Sequence, residues 1–460
     1  MGYFNLMILL SRYIFAGFAI LFIIVAFTFM KPFFSYSMGT RREKNKFLSL
    51  SIYFFHLAGV AILMGRQAED EMKLAVAING LVVIAIFFIA FMVLKLMKRH
   101  HELVIWQLMF FLMDIGYLMI ERLDHNLASE QIEAYIIGTI IALIFPSIFS
   151  IIIKPRNMWI YLSVLLGTML LPFVAGTTIY GATNWVQIGP ISFQPSEIGK
   201  AALVLFLASV LSEEGRLERG LKGLIFPGSV VAFSLLCLVI QKDLGAVVLY
   251  YVTAIGLVFV ATRKVLYPII GTLAASIGAL VAYMTFGHVR VRVAAWLNPW
   301  VDISGIGYQS VQGLFAIGTW GWLGSGLTRG KPNDIPFAYS DYIFAAVCEE
   351  FGNIVGVVVL LAYLGIIFLC LQVAFRYQDN FYRLVIMGIA TLFSVQTFII
   401  VGGVLKIIPL TGITTPFMSA GGSSIVVSMG MIGLITYFSY KGRTVQEPEP
   451  AKKNKGKEEA

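Results

Sequence analysis

The residues able to do chemistry in this chain are few, and they stand at the margins of apolar runs. Arg290 and Arg292 are followed by Asn298-Pro299-Trp300-Val301-Asp302 and then by Gly305-Ile306-Gly307-Tyr308-Gln309. A proline before Asp302 and glycines after it allow a tight, defined backbone. A carboxylate held there can act as a general base or bind a cation. It can equally be an Asx-turn or helix-capping aspartate. Arg290 and Arg292 suit phosphate, because a planar guanidinium binds two oxygens at once. They also suit snorkelling, with aliphatic stems in lipid and charged heads in water.

Other candidates share this placement. Glu197 and Lys200 follow Gln194-Pro195-Ser196 at the start of an apolar run. Their i, i+3 spacing puts them on one helix face, and a glutamate in a first turn complements the helix dipole. Lys200 reaches into the apolar run, where a charge is costly and functional by default, with Glu197 as its partner. Gln241-Lys242-Asp243-Leu244-Gly245 is a very short turn in which Asp243 can cap the next helix. Asp341 does a similar job at the start of its run. Glu349 and Glu350 lie further along that run and require a cationic partner, a bound cation or raised pKa values. Gly421-Gly422-Ser423-Ser424 opens the last run. Its glycines admit close approach of backbone or lipid, and its serines can bond across helices or simply serve helix packing.

The elements that must position these groups are membrane spans. The 460 residues are 58% hydrophobic and 13% charged, with a mean hydropathy of +0.84. A soluble domain carries roughly 25% charged residues. Apolar windows near 13–30, 47–65, 74–97, 103–120, 132–153, 158–177, 198–212, 223–240, 244–261, 265–286, 342–372, 383–404 and 421–440 are continuous, not alternating. They predict an all-α polytopic membrane protein rather than a barrel. The connections holding Lys44 and Lys46, Lys95, Lys154 and Arg156, Arg216 and Lys222, Arg263 and Lys264, and Arg376 and Arg383 alternate with less basic ones. The positive-inside rule makes the basic set cytoplasmic, with the N-terminus outside and the C-terminus inside. The candidates above then share the outer side, with no comparable polar cluster at the midplane.

Three segments organise the chain: 1–102, 103–440 with a long outer loop over 287–341, and a polar tail over 441–460 expected to be disordered. The net charge of +9, from 34 Lys and Arg against 25 Asp and Glu, is explained by cytoplasmic loops. No nucleic-acid-binding signature is present. Cys237, Cys348 and Cys370 lack paired spacing, which argues against a disulfide framework or a structural zinc. The first apolar run lacks the flanks of a cleaved signal. A transporter would place polar residues near the midplane, often in paired repeats; no repeat is visible.

The stretches FQPSEIGK (193–200), QKDLG (241–245), NPWVDISGIGYQ (298–309), DYIFAAVCEEFG (341–352) and PFMSAGGSS (416–424) resemble the SEDS family, which includes RodA, FtsW and SpoVE. Their order and spacing agree over residues 103–440. The resemblance implies a ten-helix core, to which three N-terminal transmembrane helices are added. It implies a glycosyltransferase that polymerises lipid II outside the cytoplasmic membrane of a bacterium. A class B penicillin-binding protein would be its partner, and undecaprenyl diphosphate-linked glycan and membrane lipids its surroundings. Asp302 becomes the catalytic candidate. Arg290, Arg292, Lys242, Tyr308, Gln309, Ser423 and Ser424 become substrate-binding candidates. Glu197 and Lys200 form a polar pair, supported by Gln194, Asp243, Asp341, Glu349 and Glu350. A divalent cation, Mg or Mn, is the one cofactor this reading leaves room for. Lys242 stands where the family usually has proline. The competing readings are a flippase or transporter of lipid-linked precursors, and a non-catalytic scaffold of the division or elongation machinery.

Overall fold

The structure is a computed structural model describing residues 3–29, 38–97, 103–179, 182–189 and 191–446. Its helices are α1 (Tyr3–Thr28), α2 (Met38–Arg66), α3 (Asp70–Leu96), α4 (Leu103–Leu123), α5 (His125–Phe149), α6 (Met158–Ala175), α7 (Pro195–Leu211) and α8 (Leu221–Ile240). They continue with α9 (Leu244–Thr262), α10 (Leu266–Thr285), α11 (Gly287–Leu297), α12 (Tyr308–Thr319), α13 (Ile343–Phe351), α14 (Asn353–Ala374), α15 (Asn380–Val404) and α16 (Gly422–Gln446). Among the described residues, twelve helices are long and apolar enough to cross a membrane. The remaining expected span is α7, at 17 residues the shortest of the set. Helices prevail because lipid offers no partner to backbone N–H and C=O groups, so each segment must satisfy its own.

Three features depart from the sequence expectation. The run 342–372 is two helices, broken at Gly352, which adopts φ 91° as the last turn of α13 ends. Glu349 and Glu350 therefore sit in a nine-residue helix outside the long span that follows. A small antiparallel sheet, β1 (Gly176–Ile179), β2 (Ala182–Ile188) and β3 (Ile191–Phe193), follows α6 at the same end of the bundle as the long loop. The first span begins at Tyr3, ten residues earlier than the hydropathy window. Most of the polar tail, 447–460, lies outside the described residues.

The centre of the bundle is α4, whose apolar length is buried throughout. Against it pack α2, α5 and α14, and α5 in turn forms a long seam with α16. That seam is made by small residues. A Cβ added at Gly433 would overlap the backbone of Ala142. Close backbone approach of this kind is how helices associate in lipid, where the hydrophobic effect no longer drives packing. Gly433→Ala is therefore expected to destabilise the protein by about 1–3 kcal/mol, as an overpacked seam does. Thermal unfolding in detergent checks this; an unchanged midpoint would show that the seam yields without cost. At the other extreme, α10 is almost bare, with only Gly271 buried.

A polar pair does occupy the bundle interior, contrary to expectation. His56 of α2 and Asp114 of α4 are both fully buried and meet at 2.5 Å through Nδ1 and Oδ1. His56 Nε2 donates to the Gly80 carbonyl of α3 at 2.9 Å. A carbonyl only accepts, so Nε2 carries a proton and the Nδ1–Oδ1 contact shares one more. The pair is thus net neutral, which is what burial at this depth demands.

Candidate active site

The short loops joining spans at one end of the bundle enclose an open cavity of about 670 Å³. Its walls come from distant parts of the chain: β2 and the start of α7, the 241–245 turn with the start of α9, α11, the segment before α13, and residues 411–424 before and within α16. The deepest polar lining residues are Lys200, Tyr250 and Gln396, roughly 10 Å in from the helix ends at 1.5 Å per residue.

The floor is a buried ion pair. Lys200 is 1% exposed and its ammonium contacts the Glu197 carboxylate. It also donates to Gln396 Oε1 at 3.3 Å, while Gln396 Nε2 donates to the Thr414 carbonyl at 2.8 Å. Proline at the first helical position presets α7, so Glu197 falls in its first turn and Lys200 one turn deeper on the same face.

Asp243 is the hub of one wall. Its Oδ1 accepts from the Ala246 amide at 3.1 Å and so caps α9. Its Oδ2 accepts from Gln194 Nε2 at 2.7 Å and Asn184 Nδ2 at 3.0 Å, with Ser196 Oγ at 3.4 Å. The capping role is real, and it coexists with a second role tying the sheet and α7 to α9. Ser423 accepts from the Gln194 amide at 3.4 Å, and Ser424 accepts from Thr414 Oγ1 at 3.0 Å. Lys242 adopts φ 60°. Proline, with its φ held at about −65°, cannot take this conformation.

Opposite stand Arg292 and Asp341. Arg292 Nη1 donates to the Thr411 carbonyl at 2.7 Å, and both side chains border Gly412. Burial raises the Asp341 carboxyl above its usual range, opposed by the Ser340 hydroxyl, which donates to it at 3.1 Å, and by Arg292. His288 also lines this wall. Desolvation lowers its pKa, and the neighbouring charges of Arg292 and Lys242 lower it further. One side of the cavity is therefore cationic, with Lys242 and Arg292 beside His288, and the carboxylates of Glu197, Asp243 and Asp341 lie around it.

Of the residues singled out from the sequence, Gln194, Glu197, Lys200, Lys242, Asp243, Arg292, Asp341, Ser423 and Ser424 converge on this cavity. The rest do not line it. Arg290 is separated from Arg292 because residues two apart on a helix face different ways. Asp302 ends an exposed 3-10 turn, Pro299–Asp302, and its Oδ2 accepts from the Ile306 amide at 3.1 Å. Tyr308 opens α12, and Gln309 donates to the Pro336 carbonyl at 3.0 Å. Glu349 and Glu350 anchor loop backbone instead. Glu350 pairs with Arg122 at 3.2 Å and accepts from the Thr328 amide at 3.0 Å; Glu349 accepts from the Lys331 amide at 2.7 Å.

Burial, only partly offset by Arg122, pushes the Glu350 carboxyl up to about 7. A folded-state pKa above the unfolded value means the protonated form is the one stabilised. Its contribution is fully present below about pH 4.5 and is lost as pH rises toward about 7, roughly 3 kcal/mol in all. Stability measured between these limits should fall with pH in the wild type and fall less in Glu350→Gln. Parallel profiles would contradict this.

Sequence reading missed Asn184, Tyr250, His288 and Gln396, which are ordinary within their own segments. It also missed Arg12, Arg66 and Arg122, and for these a signal exists: basic residues at the less basic ends of spans. Among the described residues, no group of three or more His, Cys, Asp and Glu side chains is placed to hold a metal ion. The described residues therefore do not form a dedicated metal cage.

A helical bundle with, among the described residues, twelve helices long and apolar enough to cross a membrane, short loops, one long capping loop and a charged cavity at one end is the architecture of a polytopic membrane protein. The FtsW/RodA/SpoVE family model, described as cell cycle protein, matches residues 99–444, and the chain belongs to that family. Peptidoglycan glycosyltransferase RodA of Mycobacterium tuberculosis is 30% identical over 447 residues, covering 91% of this chain and 94% of that protein. Stage V sporulation protein E of Bacillus subtilis is 33% identical over 282 residues, covering 61% and 77%. A solved structure described as "Structural coordination of polymerization and crosslinking by a peptidoglycan synthase complex" aligns with a TM-score of 0.62 at 26% identity, over 73% of this chain and 97% of that one. The crystal structure of the rod shape determining protein RodA of Thermus thermophilus aligns at 0.53 and 22% identity, over 73% and 96%, and shares the fold.

Proposed function

We propose that this chain is a peptidoglycan glycosyltransferase that polymerises lipid II on the outer face of a bacterial cytoplasmic membrane. The observation that carries the reading is the charged cavity at one end of an apolar bundle, in a chain whose relative at 30% identity over 91% of its length bears that activity in its name. The connections holding Lys154, Arg216, Lys222, Arg263, Lys264 and Arg383 lie at the opposite end, which the positive-inside rule makes cytoplasmic.

The chemistry needs a base, an anion site and a place for lipid. Asp302 takes the proton of the acceptor 4-hydroxyl as that oxygen attacks the anomeric carbon of the donor. The bond from this carbon to the diphosphate breaks, and undecaprenyl diphosphate leaves with the electron pair. Displacement in one step inverts an α-linked donor to a β-1,4 product. Lys242 and Arg292 offset the charge on the departing diphosphate, and Arg290 meets it from outside the cavity. Lys200 and Glu197 hold the floor. Asp302 is flanked by exposed Trp300, Val301, Ile303 and Ile306, an apolar rim suited to a substrate carried on lipid. A magnesium or manganese ion fits as a companion of the substrate phosphates, since such ions are commonly held by one or two carboxylates plus phosphate. A class B penicillin-binding protein is the proposed transpeptidase partner.

A flippase would line a polar path across the bilayer, whereas the cavity lining stops in the half nearest the loops, which favours the enzyme. Purified chain with lipid II and its transpeptidase partner should yield glycan strands. If no strands form where another family polymerase makes them, the enzyme reading fails.

A further inference from the structure

We propose that the first two of the helices preceding the family core, α1 and α2, are an intramolecular strut that fixes the capping loop and, through α13, the position of Asp341 in the cavity. The family model begins at residue 99, and the aligned solved structures leave about a quarter of this chain unmatched. These helices nevertheless touch the outer loop directly. Arg12 of α1 donates to the Gly324 carbonyl at 3.0 Å, and Arg66 of α2 donates to the Thr328 carbonyl at 3.2 Å. Gly326 is pressed against Ile8, where an added Cβ would lie 2.8 Å from its side chain. Arg122, from the core, donates to the Gly330 carbonyl at 3.3 Å. Three helices thus present arginines to one short stretch of loop.

The same stretch is bonded to the far end of α13. The Ser325 and Gly326 amides donate to the carbonyls of Glu349 and Glu350 at 2.8 and 3.0 Å, beside the carboxylate contacts already described. Phe351, the last residue of α13, is seated between the N-terminal helices. Its ring lies 5.1 Å from Phe15 and 5.6 Å from Phe55, and those two rings lie 4.7 Å apart. All three are buried to within 1%. The near end of α13 follows Asp341 directly. A short helix clamped at its far end by side chains outside the family core carries a cavity residue at its near end. Arginine is the residue for the clamp: it caps carbonyls with directed donors and stays charged at a wet margin. Arg12 and Arg66 act through the loop, so they are positioning residues.

Hydrogen exchange on the full chain in detergent tests this without reference to catalysis. In Arg12→Ala and in Phe15→Ala, amides of 325–331 and of 340–342 should exchange about tenfold faster, with the remaining spans unchanged. Arg12→Lys, which keeps one donor for the Gly324 carbonyl, should restore protection. The kinetic arm rests on the polymerase reading: Arg12→Ala should raise KM for lipid II about fivefold with kcat held. Unchanged exchange at either segment overturns the strut. Faster exchange throughout the bundle, or kcat falling with KM fixed, reduces the contacts to general stability and also overturns it. An inactive wild type defeats the polymerase reading, while the exchange result still decides the strut.

Discussion

Asp302→Ala is expected to lower the rate of glycan polymerisation by about 10²–10⁴, the usual worth of a positioned general base, with the bundle still folded. The expectation separates cleanly from stability because Asp302 is exposed and its carboxylate makes one described protein hydrogen bond, to the Ile306 amide at 3.1 Å. Losing that bond costs about 1 kcal/mol. The same bond supplies the sharper experiment. Asp302→Asn keeps an acceptor oxygen for Ile306 and so keeps the turn, but it cannot take a proton. If Asp302 is a base, Asn is as inactive as Ala. If it only shapes the turn, Asn restores activity and the mechanism above is wrong.

The second large effect lies at the cavity floor. Lys200→Met removes a cation that is 1% exposed, leaving Glu197 without its counter-charge and Gln396 Oε1 without its donor. Breaking a buried pair on one side typically costs about 3–5 kcal/mol, because the remaining charge stays desolvated. Thermal unfolding should register the loss, and polymerisation should disappear with it. The double variant Lys200→Met with Glu197→Gln is the control. It removes both charges, so most of the stability should return while activity does not. If the single variant unfolds like wild type, water reaches the pair and the floor is not the dry site its burial indicates. If the double variant is active, the pair serves folding alone.

The Lys200 and Asp302 experiments probe groups that the sequence treated alike and the structure treats differently. Both were legible as charges at the margins of apolar runs. Lys200 is carried into the cavity by a helix that proline starts and whose i, i+3 face is set by local geometry. Asp302 is carried by a loop whose path depends on packing between α11, α12 and the segment before α13. The same distinction explains Glu349 and Glu350. Their cost in an apolar run was evident, but their partners, Arg122 and the amides of Thr328 and Lys331, stand far away in sequence or across a glycine-rich turn.

The sequence by itself determined that this chain is a helical membrane protein, where most of its spans fall, and that its chemistry gathers at one end. These follow from segment-local physics: hydrocarbon forbids unpaired backbone, and hydropathy is a property of each run alone. Several linked motifs also carried the family. Only the tertiary structure decided which polar residues meet. It split Arg290 from Arg292 by helical phase, kept Asp302 off the cavity lining, and broke one apolar run at Gly352 into two helices. It buried His56 against Asp114 and turned Arg12, Arg66 and Arg122 onto the capping loop. Each of these depends on which helices pack together across hundreds of residues, and no window of sequence contains that information.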